Sequence, residues 1–199
     1  MPNILTIDYQ SNNFGTEFTT SLKHTGFAII KNHPISKDLI SDIYSEWKLF
    51  FESNYKHYYL FDKVKQDGYF PYLSEHAKGS SIKDLKEFYH IYSWGRYPSE
   101  ISKKTNDLII QFKTIAEKLL FQIHKNSPDE IKNYFSMPLD TMIQNSGQNL
   151  LRVIHYPPLS GTENTNAIRA GAHEDINLIT LLVAGSQPGL QVLSQDGDW

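Results

Sequence analysis

His173 and Asp175, two residues apart, are the side chains of this 199-residue chain best spaced to grip one metal ion. Side chains at i and i+2 of a strand share a face. An imidazole and a carboxylate so placed can supply two corners of a 2-His-1-carboxylate site, which leaves positions of Fe(II) open to substrate and oxygen. Glu174 faces the other way by the same alternation and is not assigned as a ligand. The spacing alone is weak evidence: with 8 His and 22 acidic residues in 199, one such pair is expected by chance. The bland alternative is a surface turn in which Asp175 bonds local backbone. The neighbouring residues decide between the two.

Upstream stands Asn149-Leu150-Leu151-Arg152-Val153-Ile154-His155-Tyr156-Pro157-Pro158, followed by a polar loop. Then Arg169-Ala170-Gly171-Ala172-His173-Glu174-Asp175 runs into Ile176-Asn177-Leu178-Ile179-Thr180-Leu181-Leu182, and after a Gly/Pro turn comes Gly189-Leu190-Gln191-Val192. This order, R-x-x-x-Y-P-P, then H-x-D-x-x-L-I-T-L-L, then G-L-Q-V, resembles the isopenicillin N synthase-like family of non-haem Fe(II) oxygenases, most of whose members use 2-oxoglutarate. The N-terminal half agrees. Gly26-Phe27-Ala28-Ile29-Ile30-Lys31-Asn32-His33 is similar to that family's G-F-F-x-I-x-N-H segment. Phe50-Phe51, Lys56, Gly68-Tyr69, Ala77-Lys78-Gly79 and Asp84 to Tyr89 continue the match.

The resemblance implies Fe(II) held by His173, Asp175 and a second His, with a later R-x-S motif holding a carboxylate. Both of those later positions would fall after Trp199, and no other His of the chain takes the missing place. It also implies that Tyr156 helps bind a carboxylate, either of 2-oxoglutarate or, as in isopenicillin N synthase itself, of the substrate. Arg152 and Tyr156 are four apart and share a strand face, and a phenol and a guanidinium beside a carboxylate make charge-assisted hydrogen bonds. The bland alternative for Tyr156 is a barrel aromatic. His155 lies on the opposite face and is expected to pack or to meet solvent. His33 is expected to serve its turn, and Phe50 and Phe51 the core. Glu87, Tyr89 and Tyr92 either line a pocket or fill the core. Lys78 and Lys86 either meet an anionic substrate or simply solubilise.

Composition narrows the class. Hydrophobic residues make up 40% and aromatics 13%, enough to build a core. The net charge is −3 and the 19 Lys and Arg are scattered, so no basic face argues for nucleic acid. There is no Cys, which removes disulfides and thiolate chemistry and fits a reducing cytoplasm. The N-terminus lacks a signal-peptide pattern, and no apolar run approaches the ~18 residues of a membrane span. A cytoplasmic protein acting on a small molecule is the expectation.

The elements that must carry these residues follow from the patterning. A short strand opens at Ile4 to Ile7, and a helix over 16–24 ends at Gly26. A buried strand covers 27–31, and a helix over 37–53 is capped by Ser36, with Ile40, Ile43, Tyr44, Trp47, Phe50 and Phe51 as its apolar stripe. Residues 56–98 read as loops around a strand at 87–92. A long helix opens at Ser99 or Glu100, and a short one follows Ser127-Pro128. Strands are expected at 149–156, 174–183 and 189–193. Helices first and strands later argue α+β.

By the resemblance, residues 1–145 form an N-terminal, mostly helical region. It packs on a double-stranded β-helix (jelly-roll) barrel that begins at 146–199 and is incomplete in this chain. Open barrel edges would invite self-association. The implied activity is Fe(II)- and 2-oxoglutarate-dependent oxygenation of a small molecule, by hydroxylation, desaturation or ring closure. Two alternatives stay open. One is an oxidase of the isopenicillin N synthase type that uses no 2-oxoglutarate. The other is a truncated, inactive remnant acting as a binding module.

Overall fold

The computed structural model describes residues 4–76, 81–144, 146–194 and 196–199; Lys78, a candidate above, lies outside the described residues. The chain divides into two compact units. The first comprises Met1–Ile35, Ile110–Asn145 and Leu178–Trp199, and the second Ser36–Ile109 and Ser146–Asn177.

In the first unit, β1 (Thr6–Asp8), α1 (Phe14–Thr25) and β2 (Ile29–Lys31) follow one another. The strands pair in parallel, Thr6 opposite Ile29 and Asp8 opposite Lys31. The chain thus opens on a small βαβ unit, the strand–helix–strand order expected from the sequence, with its strands paired in parallel. Gly26 ends α1 at φ 74°, a left-handed turn that glycine adopts without strain, and its N–H bonds the Leu22 carbonyl. Ile7, Phe14 and Phe18 are buried, as are Ile115, Ala116, Leu119 and Leu120 of the long helix α3 (Lys104–Asn126). Lys118 of that helix lies 3.6 Å from the centre of the Tyr9 ring, a cation–π contact. The helix begins at Lys104, later than its sequence suggests. The short helices α4 (Asp129–Lys132) and α5 (Leu139–Gln144) complete the helical part.

The second unit carries the candidate residues. Helix α2 (Lys37–Glu52) starts where Ser36 accepts from the N–H groups of Asp38 and Leu39, the expected N-cap. Ile43, Trp47, Phe50 and Phe51 are its buried face. A 3-10 turn, Asn54–Tyr59, leads toward β3 (Gly68–Phe70), which pairs antiparallel with β4 (Glu87–Ile91), and β4 pairs antiparallel with β5 (Leu151–His155). Glu87 stands opposite His155, Phe88 opposite Ile154 and His90 opposite Arg152.

Alternation divides this sheet into two faces. The back face sets Tyr69, Tyr89 and His155 against Trp47, Phe50 and Phe51 of α2. Trp47 is 1% exposed and donates its indole N–H to Thr105. The front face carries Phe70, Phe88, His90, Arg152 and Ile154, with Tyr156 next in the same alternation.

The strands expected at 174–183 and 189–193 do not form. Among the described residues no strand follows β5, and Ile176, Leu178, Leu182 and Leu190 are exposed. An apolar, β-branched run has the propensity for a strand, but a strand exists only when a neighbour completes its ladder. Among the described residues no helix is long and apolar enough to cross a membrane.

Candidate active site

The front face is built on a stack. Phe61 lies on Phe70 at 4.3 Å between ring centres, Phe70 on Phe88 at 4.5 Å, and the Arg152 guanidinium caps Phe88 at 4.6 Å. Arg152 lies on this face, and Tyr156, one residue past β5, is near enough to feel the Lys86 and Arg152 charges. Arg152 donates its Nε–H to His90 Nε2 at 2.8 Å, and its Nη1 lies 3.7 Å from Glu75 Oε2. Partial burial raises the Tyr156 phenol above its ordinary value, an effect that the nearby Lys86 charge opposes. The phenol therefore keeps its proton as a donor.

Lys86 does not solubilise the surface. It is 6% exposed and bonds Glu75 at 3.0 Å and Asp84 at 2.9 Å. Burial alone would lower its ammonium pKa, but those carboxylates outweigh burial and raise it. Asp84 and Lys86 meet directly just before β4; the sequence marks Asp84 only as part of the matching segment and Glu75 not at all. Asp84 also accepts the Gly171 N–H at 3.1 Å, and the Leu85 N–H bonds the Ile168 carbonyl at 2.9 Å.

These bonds pin the segment that leads to His173. There the imidazole Nδ1 meets the Gly171 carbonyl at 2.8 Å, and Nε2 lies 3.6 Å from Asp175 Oδ1. The pair is adjacent although residues 173–175 form no strand. Two donors about 2.1 Å from one ion and at right angles lie roughly 3 Å apart, so half-exposed side chains at this spacing fit neighbouring ligand positions. A carbonyl holding one ring nitrogen and leaving the other free is the usual support of a metal-ligating His. N and O donors suit Fe(II). Among the described residues, no group of three or more His, Cys, Asp or Glu could hold a metal.

The back face carries a second polar network that sequence reasoning missed. Glu87 is 4% exposed and accepts hydrogen bonds from Lys56 Nζ at 2.9 Å, from His155 Nδ1 at 2.8 Å and from the Tyr69 hydroxyl. Burial alone would raise its pKa, but the bonds from His155, Tyr69 and Lys56 prevail and hold it below the usual carboxylate range. Burial and the Glu87 charge push the Tyr69 phenol up. His155 also stacks on Phe51 at 5.3 Å. Glu87 and Tyr89 thus belong to the core side, away from Arg152 and Tyr156, and Tyr92 stacks on Trp94.

Residues 5–108 match the family described as non-haem dioxygenase in morphine synthesis, N-terminal. The chain belongs to the non-haem Fe(II)/2-oxoglutarate oxygenase family. A crystal structure from Shewanella oneidensis, described as an oxygenase, is 46% identical with a TM-score of 0.87, covering 99% of this chain and 70% of that one. A Caulobacter crescentus 2OG-Fe(II) oxygenase family protein is 28% identical with a TM-score of 0.74, over 98% of this chain and 68% of that one. The proline hydroxylase buaE of Petromyces alliaceus is 29% identical over 88% of this chain. The chain spans 59% of the length of the first curated relatives it matches. Membership in the oxygenase family agrees with the resemblance carried by R-x-x-x-Y-P-P and H-x-D.

Proposed function

We propose that this chain supplies the substrate face and two iron ligands of an Fe(II)- and 2-oxoglutarate-dependent oxygenase of small molecules. One observation carries the reading. His173 Nε2 and Asp175 Oδ1 lie 3.6 Å apart, on a segment whose Gly171 N–H bonds Asp84, the partner of Lys86, and the charges of Asp84, Lys86 and Arg152 all act on Tyr156. Residues 146–199 are read as the first part of the jelly roll, with the region before them as its N-terminal support.

His173 Nε2 and the Asp175 carboxylate would hold the ion. Bound Fe(II) with 2-oxoglutarate supplies oxygen activation coupled to loss of carbon dioxide from the cosubstrate. The chain's residues do the positioning. The Gly171 carbonyl holds Nδ1 of His173 and leaves Nε2 as the donor atom. The protonated Tyr156 phenol donates to a ligand carboxylate, and Arg152 adds charge-assisted donors beside it. Buried Phe88, with Ile154 opposite it, gives that face an apolar floor. The substrate class follows from the family and from the absence of a basic face in the sequence.

The test is succinate formation from 2-oxoglutarate by the protein loaded with Fe(II) in air. Metal-dependent turnover that Asp175→Ala abolishes supports the reading; turnover unchanged in Asp175→Ala refutes it. A second reading is favoured by His173-Glu174-Asp175 with Leu178-Ile179-Thr180 downstream, which is similar to isopenicillin N synthase's own metal segment. It predicts metal-dependent oxygen uptake with no need for 2-oxoglutarate.

We also propose self-association, supported by the outer edge of β5 and the exposed Ile176, Leu178, Leu182 and Leu190. Sedimentation as a monomer at every concentration would contradict it.

A further inference from the structure

His90 is 6% exposed, at the centre of the front face among Phe70, Phe88 and Tyr92. It is an unusual partner for an arginine. The Nε–H of Arg152 points at His90 Nε2 from 2.8 Å, while Nδ1 of the same ring lies 2.9 Å from the Gln66 carbonyl. A guanidinium can only donate and a carbonyl can only accept. Both contacts are satisfied by one form alone, the neutral ring with its proton on Nδ1 and its lone pair on Nε2. The surroundings favour that neutral form. Burial and the adjacent Arg152 charge lower the His90 pKa to about 4.

The Gln66 carbonyl is itself held. Gln66 sits at φ 63° in a turn closed by its N–H to the Asp62 carbonyl and by the Asp62 N–H to the Asp67 carbonyl. The Asp67 carboxylate, 2% exposed, bonds the Arg96 Nε and backbone N–H, and Arg96 Nη2 reaches the carbonyls of Leu60 and Asp67. A continuous set of bonds therefore runs from this turn through His90 to Arg152.

We infer that His90 is a positioning residue, whose Nε2 fixes the Arg152 guanidinium so that its Nη edge is presented beside Tyr156 to a carboxylate of the bound ligand. Stacking on Phe88 at 4.6 Å sets the plane of the guanidinium; the bond to His90 sets its rotation within that plane. Without that acceptor Arg152 keeps its charge, its stacking and the longer contact of Nη1 with Glu75 at 3.7 Å, but loses the one short bond that sets its rotation. The value of a bidentate donor lies in that direction. The ligand class served is a small carboxylate anion, and the inference rests on the carboxylate-binding role proposed above for Arg152.

Two measurements test it. The first needs no variant: long-range nitrogen–proton correlation spectra of the His90 ring. The Nδ1–H tautomer is expected, and an Nε2–H tautomer or a protonated ring at neutral pH overturns the inference.

The second is a double-mutant cycle on 2-oxoglutarate affinity, measured by calorimetry on the Mn(II)-loaded protein. Arg152→Ala is expected to weaken binding about tenfold, the size of one lost hydrogen bond to a charged group. His90→Phe, which keeps an aromatic ring, should weaken it similarly and have no further effect in the Arg152→Ala background. His90→Gln, whose side-chain oxygen can accept near the Nε2 position, should recover most of the affinity. Additive losses, or full affinity in His90→Phe beside a weakened Arg152→Ala, overturn the inference. If Arg152→Ala binds normally, the carboxylate role of Arg152 fails instead. The positioning claim is then decided by the Arg152 Nε–H resonance, which must be slow to exchange in the native protein and lost in His90→Phe; its persistence there overturns the claim.

Discussion

His155 Nδ1 stands 2.8 Å from Glu87 Oε1 across the β4–β5 pair, on the face of the sheet opposite Arg152 and Tyr156. The contact joins a carboxylate of 4% exposure to Lys56 and Tyr69 and seats the His155 ring on Phe51. The strand that presents Arg152 to one side is thus fastened on the other by a buried, charged network. Removing one partner leaves the rest unpaired, which is the costly way to break such a group. Glu87→Gln is expected to destabilise the protein by about 3–5 kcal/mol, read from urea unfolding. Glu87 is held below its ordinary pKa of 4.5, so its contribution is present above that value and is lost as pH falls through the lowered one. The acid limb of the stability curve should flatten in the variant.

His90 should leave a different signature. Its pKa is lowered from 6.5 to about 4, so between those values the unfolded chain binds a proton that the folded chain refuses. Stability must therefore fall as pH drops from 6.5 toward 4, by a total on the order of 3 kcal/mol. His90→Phe should remove that slope whatever it does to the plateau. Denaturant midpoints across this range check it, and an unchanged slope would contradict a buried neutral imidazole.

Gly68 is at φ 99°, and a Cβ there would lie 2.5 Å from the Tyr59 carbonyl oxygen and 2.6 Å from Arg96 Nη2. The backbone oxygen cannot move aside as a flexible side chain can. Gly68→Ala is expected to cost at least about 2 kcal/mol, combining left-handed strain with overpacking. Thermal unfolding reads the loss directly.

Much of this architecture is legible in the residues, and the exceptions share a cause. Ser36 before an apolar stripe marks the start of α2, Gly26 the end of α1, and the aromatic run at Glu87 a strand, because each signal is local. Strand β3 escapes notice because Gly68–Phe70 is 3 residues long, too short for a period to show. The parallel β1–β2 pair escapes because pairing is non-local. The apolar run after Asp175 misleads in the opposite direction, since propensity cannot provide a partner strand. Lys86 reads as either a ligand-facing or a solubilising cation until Asp84 and Glu75 are seen around it. The same limit applies to the candidate site. Its candidate ligand pair and Tyr156 are picked out by motifs that resemble the family's, and Arg152 by sharing a strand face with Tyr156, whereas His90 and Asp84 are singled out only by bonds to residues far along the chain.

Asp84 offers a test of that supporting layer. Its carboxylate holds both Lys86 and the Gly171 N–H, and Gly171 in turn holds His173. Asp84→Ala is expected to weaken Co(II) affinity by about 10-fold or more, as loss of a ligand's support usually does, with the fold retained by circular dichroism. Unaltered Co(II) affinity in a folded variant would contradict this role.

The central claim is tested most directly by anaerobic titration of the protein with Fe(II) and 2-oxoglutarate, following the visible metal-to-ligand charge-transfer band of the chelate. The predicted band is abolished by His173→Ala and weakened by Tyr156→Phe. A band of full intensity in His173→Ala would contradict iron binding at this pair.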